Sequence, residues 1–344
     1  MKLESGPSPH IRFIQTTRGI MGDAVAALCF LYGMGFYYHG PRVLVMGVFS
    51  VAVCLGCDVI CNLIHKKRHN VRDLSAIVTG MILPLMLPAS VSYGIVATAG
   101  IFAIAVTKHP FGGTGHNVFN PAAAGFSFAA ICFGEALFTY PPPTLRLPIF
   151  GPMEFASSAS PAYTLRVGGI PRIDVMDILL GKYPGPMGAT NILVLIACLL
   201  YLILRKTVRW SLPFSFFGAC AAVACLFPRP GLGPLGSVGL ELSTGLILFG
   251  GIFLLGDPVT TPKREMSKVA FALVAGVIAM LFRRFGSLEE EITFSLLLMN
   301  AAVWGFDMAG ERVASMIRRH RLAAIKSEAA PKKAKTKTFS GTAG

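Results

Sequence analysis

The chain has 344 residues, of which 53% are hydrophobic and only 14% charged, with a mean hydropathy of +0.63 and a formal net charge of +14. A soluble domain of this size carries about 25% charged residues, so the deficit excludes an ordinary water-soluble enzyme and makes lipid the main solvent. The positive balance does not describe a nucleic-acid face, because the lysines and arginines stand in short clusters between apolar runs and in a tail, as they do in membrane proteins.

Ten apolar segments follow one another at roughly 20–38, 42–64, 75–88, 91–107, 121–139, 189–205, 212–227, 240–255, 267–282 and 292–308, several of them short of the ~20 residues of a full span. Residues 1–20 contain charges and no uninterrupted apolar core, so no cleavable signal peptide is expected. The third segment contains Pro84 and stops at Pro88; the eighth contains Gly250 and Gly251 and runs into Asp257 and Pro258. Both are expected to be broken there. Interrupted segments at matching places in two halves are the sequence mark of inverted-repeat membrane folds.

The halves match in order. Thr79, Gly80, Met81, Ile82, Leu83 correspond to Thr244, Gly245, Leu246, Ile247, Leu248; Phe111, Gly112 to Phe285, Gly286; and the run from Asn120 to Phe126 to the run from Asn300 to Phe306. Each half reads as broken helix, apolar helix, Phe-Gly turn and Asn-headed helix. Five spans is an odd number, so the two repeats are expected to have opposite orientation. The expected division is an N-terminal segment 1–19, a first repeat 20–139, a loop 140–188, a second repeat 189–308 and a basic tail 309–344. The fold class is all-α polytopic membrane protein, with about ten transmembrane helices in two inverted five-helix repeats.

Orientation follows from the basic residues. With a cytoplasmic N-terminus, most of the 31 lysines and arginines fall inside, including the cluster at 66–72, Lys108, Arg205, Lys206, Arg209, Lys263, Arg264 and Lys268, leaving outside only Arg42, Arg146, Arg166, Arg172, Lys182, Arg229, Arg283 and Arg284. Both termini are therefore expected in the cytoplasm and the 140–188 loop in the periplasm. The tail, with its basic run at 331–337, is expected to lack a packed core and to meet anionic lipid.

The run Lys108, His109, Pro110, Phe111, Gly112, Gly113, Thr114, Gly115, His116, Asn117, Val118, Phe119, Asn120, Pro121, Ala122 carries the most information. Its glycines permit a tight turn between membrane helices, and Asn120 can cap a helix whose first residue is Pro121. Physics alone reads it as a well-capped turn. The run also resembles the K-x-x-F-G-G-x-G-x-N-x-F-N-P-A signature of a family that includes the D subunit of the Rnf ion-translocating ferredoxin:NAD oxidoreductase complex and the B subunit of the sodium-translocating NADH:quinone reductase. The stretch from Asp73 to Gly80 and the stretch from Asp257 to Pro262 are similar to the same family, so the likeness spans both halves. The short N-terminus favours the Rnf D subunit. The resemblance implies a urea-transporter-like two-repeat fold in the bacterial inner membrane. It also implies partners in the A, B, C, E and G subunits of such a complex, and no nucleic acid.

Gly188, Ala189 and Thr190 open the sixth segment. Members of the family carry FMN esterified through its phosphate to the threonine of a Ser/Thr-Gly-Ala-Thr sequence, so the resemblance implies a covalent FMN on Thr190, with Gly188 and Ala189 beside it, put in place by a flavin transferase. A phosphodiester at a helix N-terminus would meet free backbone N–H groups and the positive end of the dipole. Met187 stands where the family has Ser or Thr, and Pro184 where the transferase usually meets an Asp. Without the flavin, the tripeptide is a helix start. A second, non-covalent flavin between the repeats is a further expectation.

Other features receive plainer readings. Cys54, Cys57 and Cys61 share one face of the second segment but have no fourth ligand nearby, so they read as packing residues. Asp58 is an intramembrane carboxylate, a candidate for an ion pathway or a snorkelling ion pair with the basic cluster beginning at Lys66. His109 and His116 read as solvated turn residues, Glu289, Glu290 and Glu291 as a solvated loop beside Arg283 and Arg284, and Trp210 as an interfacial ring. No residue is assigned a catalytic role or a metal. Nucleotide-binding fingerprints are absent, so NAD and ferredoxin are expected to react on other subunits. The favoured function is a flavin-carrying subunit that couples ferredoxin/NAD redox chemistry to Na+ or H+ movement, with the broken third and eighth helices as its moving parts. The alternatives are a passive channel or permease on the same fold, and a subunit of the complex that has lost its flavin.

Overall fold

A computed structural model describes residues 16–65, 74–113, 115–151, 155–286, 289 and 292–329. The basic cluster at 66–72, Asp73, Thr114, Glu290, Glu291 and the basic run at 331–337 lie outside the described residues. The described chain is helical, with one isolated bridge between Tyr140 and Ser158.

The first half comprises α1 (Thr17–His39), α2 (Arg42–Ile64), α3 (Ser75–Leu85), α4 (Tyr93–Ile101, continued by a π-helical segment Phe102–Lys108), α5 (Pro121–Cys132) and the short α6 (Gly134–Leu137). Two short helices, α7 (Pro161–Arg166) and α8 (Val175–Leu180), lie in the linker. The second half comprises α9 (Ile192–Leu204), α10 (Ser211–Leu226), α11 (Pro234–Ser243), α12 (Ile247–Phe249, continued by a π-helical segment Gly250–Leu254), α13 (Glu265–Phe285) and α14 (Ile292–Ala329). Among the described residues, α1, α2, α13 and Ile292–His320 are long and apolar enough to cross a bilayer, α11 and α12 form a bent pair at 70°, and five shorter apolar helices accompany them. The chain is a polytopic, multi-pass membrane protein.

Local chemistry sets the helix starts. Thr16 accepts from the Gly19 N–H at 3.2 Å, and Asn120 accepts from Ala123 N–H at 3.2 Å with Pro121 in the first helical position, as its cap sequence demands. Small residues then let the helices close. A Cβ added at Gly80 would stand 2.8 Å from the Val51 Cα, and one at Gly276 would stand 2.7 Å from the Phe216 carbonyl oxygen.

Contacts fix helix direction. Tyr93 packs on Phe49, Gly100 on Cys54, and Lys108 on Asp58, so α2 and α4 run parallel. In the second half Arg209 pairs with Glu265, Cys220 lies against Gly276, and Arg284 covers Phe227, so α10 and α13 are parallel too. Across the halves the sense is opposite. Cys198 meets Ala27 while Arg205 meets Asp23; Ser127 Oγ lies 2.9 Å from Thr293 Oγ1 while Asn120 meets Asn300. The pairs α1/α9 and α5/α14 are therefore antiparallel. One end of the molecule gathers Asp58, Lys108, Arg205 and Arg209; the other gathers Arg42, Arg229, Arg283 and the linker.

The interruptions differ in detail from the sequence expectation. The eighth segment does not break at Gly250 and Gly251, which begin a π-helical turn and make room for Ile292 and Phe217. It breaks at 244–246, where Gly245 has φ +71° and the Arg283 guanidinium donates to the Thr244 carbonyl (3.0 Å) and Oγ1 (2.6 Å). A charged donor there replaces the helical partner, so unwinding leaves no orphaned carbonyl. The third segment does end at Pro84, stopping at Leu85, and the second half's matched asparagine lies inside α14 instead of heading it. The linker is tied down: Arg42, 2% exposed, donates to the carbonyls of Ala89, Val91, Pro148 and Ile149.

Candidate functional site

A cavity of about 80 Å³ lies between the halves at the Lys108 end. Ser75, Thr79, Lys108, Asn117, Asn120 and Asp257 bring polar atoms to its wall, and Ile82, Ile252 and Phe253 line it with hydrocarbon. Asn120 is the hinge of this site. Its side chain caps α5, its Nδ2 donates to the Leu254 carbonyl at 3.3 Å and lies 3.5 Å from Asp257 Oδ2, and its backbone N–H donates to the Asn300 amide oxygen at 3.0 Å. Asn300 in turn donates to the carbonyls of Leu296 and Thr260. One cap residue thus couples α5, α14 and the loop after the second π-helical segment. Asp257 accepts from Val259 N–H at 3.1 Å and Thr260 Oγ1 at 3.3 Å, and burial pushes its carboxyl above the usual carboxylate range against those two bonds. Asn117 Oδ1 is buried at the wall with no hydrogen-bond partner. A bare acceptor beside a cavity is a place for a cation or an N–H or O–H donor.

Beside this cavity sits a buried charge cluster. Asp58 Oδ1 lies 3.0 Å from Lys108 Nζ and 2.9 Å from His109 Nε2, Asn62 donates to Asp58 Oδ2 at 3.2 Å, and Lys108 also donates to Ser75 Oγ at 2.8 Å. Lys108 is 2% exposed, and Asp58 and His109 5% each. Asp58 thus pairs with Lys108, from the end of the π-helical segment, while its expected partnership with the cluster beginning at Lys66 falls on residues outside those described; His109 is a buried partner and not a solvated turn residue. The cause is geometric: the parallel packing of α2 on α4 brings their C-terminal ends together. His116 is exposed, as its turn position suggests.

At the opposite end, the 181–191 loop carries the Gly188–Thr190 motif. The Met187 and Gly188 N–H groups donate to the Leu87 (3.0 Å) and Leu85 (2.7 Å) carbonyls, closing the end of α3 that Pro84 leaves open. A Cβ at Gly188 would lie 2.6 Å from the Leu85 Cβ; one at Gly185 would lie 3.0 Å from Thr190 Cγ2. Thr190 is 5% exposed. The cap of α9 is the next residue, Asn191, whose Oδ1 accepts from Val194 N–H at 3.0 Å and whose Nδ2 donates to the Leu180 carbonyl at 2.8 Å. One first-turn amide expected to be open to a phosphate is thus taken by the chain itself. Tyr183 reaches across to the Ser243 carbonyl at 2.9 Å, joining this loop to the break between α11 and α12.

The NQR2, RnfD, RnfE family model matches residues 5–314. The chain belongs to that family. Among its curated relatives is the D subunit of the Na(+)-translocating ferredoxin:NAD(+) oxidoreductase complex of Acetobacterium woodii, 28% identical over 306 residues, covering 88% of this chain and 92% of that one. The D subunit of the proton-translocating ferredoxin:NAD(+) oxidoreductase complex of Clostridium ljungdahlii is 28% identical over 306 residues, covering 86% and 90%. The D subunit of the ion-translocating oxidoreductase complex of Actinobacillus succinogenes is 27% identical over 329 residues, covering 86% and 93%.

The family match takes in both the cavity and the Thr190 loop, which the fold keeps at different ends. Among the described residues no three His, Cys, Asp or Glu side chains converge as metal ligands, and Cys54 packs against Gly100. Glu289, expected in a solvated loop, is 5% exposed and accepts from Ser160, while Arg283 pairs with Glu241. Glu241 is a functional candidate that sequence reasoning passed over, although a carboxylate inside an apolar segment was its signal.

Proposed function

We propose that this chain is the D-type subunit of an ion-translocating ferredoxin:NAD(+) oxidoreductase complex of the bacterial inner membrane, assembled with the other subunits of that complex. The observation that carries the reading is that relatives so named match nearly their whole length, and that the motif residues Asn117, Asn120 and Asp257 wall one buried cavity. The antiparallel α1/α9 and α5/α14 pairs, and the recurrence of a Cys-on-Gly contact (Cys54 on Gly100, Cys220 on Gly276), support two inverted five-helix repeats of urea-transporter type. The gathering of Lys108, Arg205 and Arg209 at one end supports cytoplasmic termini.

We extend the proposal to a covalent FMN on Thr190. Thr190 is the only aliphatic hydroxyl in the 181–191 loop, it stands beside the N-terminus of α9, and Gly185 leaves its side chain without a crowding neighbour of larger size. The chain's own contribution is a fixed attachment point: Asn191 and the Leu85 and Leu87 carbonyls hold the loop so that a tethered group keeps one position. A flavin supplies one- and two-electron chemistry there. For a non-covalent flavin the cavity is the candidate, with hydrogen-bonding groups at Asn117 and Asp257; as it stands it admits water-sized guests, so a ring must widen it.

Affinity purification from native membranes tests the assignment. The other subunits are expected to co-purify, and deletion of the gene to abolish ferredoxin-dependent NAD reduction. A chain that purifies alone, with the activity intact in the deletion strain, would instead support a passive permease. In-gel flavin fluorescence is expected in the wild type and absent in Thr190→Ala.

A further inference from the structure

The end of the molecule opposite the Lys108 cavity holds three arginines around one carboxylate. Arg229 follows α10, and Arg283 and Arg284 close α13. Glu241, fully buried, receives Arg229 Nε on one oxygen (2.6 Å) and Arg283 Nε on the other (2.7 Å). Arg283 then uses both terminal nitrogens on Thr244, while its Nε faces Glu241 Oε2 as an ion pair without a hydrogen bond. The other two keep terminal nitrogens free for a ligand. Arg229 is 9% exposed, yet its Nη2 has no hydrogen-bond partner; Arg284 lies over the Phe227 ring at 5.9 Å, and its Nε and Nη2 are likewise buried and unpartnered. Arg229 and Arg284 are close enough for their charges to repel. Among the described residues, three guanidinium groups surround this one carboxylate, and Arg229 and Arg284 keep three donors unmet.

Such donors are costly to bury and are matched by an oxyanion, to which guanidinium groups bind in a planar fork. The surroundings narrow the oxyanion down. The same two helix ends present Leu226 (73% exposed), Phe227 (61%), Leu281 and Phe285 (83%) outward, on a chain whose solvent is lipid. A phosphate bearing hydrocarbon tails satisfies both halves of the surface at once. We propose that Arg229 and Arg284 bind the phosphate of an anionic phospholipid, whose acyl chains lie on Leu226, Phe227, Leu281 and Phe285. A zwitterionic lipid offers the same phosphate, but its ammonium group would be repelled by the Arg229 and Arg284 guanidinium groups, so the site selects net negative headgroups.

The test uses the full chain, both alone in detergent and in its complex from native membranes. Thermal stability is measured against added phosphatidylglycerol, phosphatidylcholine and inorganic phosphate, with lipid extracted from the purified protein and identified by mass spectrometry. Phosphatidylglycerol is expected to co-purify and to stabilise, and the other two additives to do neither. In Arg284→Ala the half-saturating lipid concentration should rise roughly tenfold or more, the loss carried by a charge-assisted hydrogen-bond pair, and Arg284→Lys should recover only part of it. Equal stabilisation by phosphatidylcholine would overturn the selectivity. Equal stabilisation by phosphate would make this a free-oxyanion site, and exclusion of lipid from the complex would make it a contact for a carboxylate on a neighbouring protein of the assembly; either result overturns the lipid assignment. If Arg284→Ala fails to fold, the comparison of additives on the wild type alone decides.

Discussion

Replacing Asp58 by Asn is expected to destabilise the protein by about 3 kcal/mol, at the low end of the cost of breaking a buried ion pair. The carboxylate stands 3.0 Å from Lys108 Nζ and 2.9 Å from His109 Nε2, and Lys108 is 2% exposed, so the change strands an ammonium away from water. An amide oxygen can still accept from Lys108, which keeps the loss from reaching the ~5 kcal/mol upper bound. Removing the stranded charge as well, in Asp58→Asn with Lys108→Met, should recover most of the loss, because a buried pair replaced by neutral groups of similar volume is nearly neutral in stability. The cycle should therefore show a coupling of about 2 kcal/mol, well above the few tenths seen for independent sites. Unfolding by SDS titration in mixed micelles, followed by circular dichroism, measures all four proteins. A loss under about 1 kcal/mol in the single variant, or a double variant that simply adds the two single losses, would refute a sealed charge cluster.

Further expectations concern the joints of the fold. Gly188→Leu should cost roughly 1–3 kcal/mol, because its Cβ alone would fall 2.6 Å from the Leu85 Cβ, and should loosen the 181–191 loop to proteolysis. Ser127→Cys with Thr293→Cys should form a disulfide under mild oxidation, seen as a gel shift, since the two hydroxyls lie 2.9 Å apart across antiparallel α5 and α14. A parallel arrangement of these helices would leave a second pair, Asn120→Cys with Asn300→Cys, too far apart to link once the first had formed. Asp257 gives a pH dependence. Its carboxyl is held above the ordinary range, so its charged form opposes folding: the stability that the protonated form contributes is present at low pH and lost as pH rises through the carboxylate range. Asp257→Asn should therefore flatten the fall in thermal stability as pH rises above about 4, the ordinary carboxylate value; an unchanged profile would contradict this.

How much of this was visible in the residues depends on sequence distance. The span of α2 follows the apolar run to the residue, and the Asn120–Pro121 start of α5 follows from cap chemistry, because both are decided by neighbours in the chain. The charge partners were not visible. Asp58 stands beside the basic cluster in sequence, but parallel packing of α2 on α4 carries Lys108 to it from fifty residues away. The break in the eighth segment was misplaced for a related reason: Gly250 and Gly251 look like breakers, whereas the chain unwinds at Thr244 because Arg283 arrives from α13 to satisfy its carbonyl. Likewise Gly188–Thr190 reads as a helix start, and the cap falls one residue on, at Asn191, because only that side chain reaches both Val194 and Leu180. Cys54 and Gly100 illustrate the converse, a contact between small residues that composition leaves silent and that recurs at Cys220 and Gly276.

The most direct measurement is peptide mass spectrometry on the protein purified from its native host. Trypsin releases the 183–205 segment, in which Thr190 is the only serine or threonine, so a single mass assigns the site. A flavin-carrying subunit predicts this peptide heavier by FMN less one water, with the flavin's visible absorbance travelling with it. Recovery of the peptide at its unmodified mass, from a complex that still reduces NAD with ferredoxin, would contradict the account.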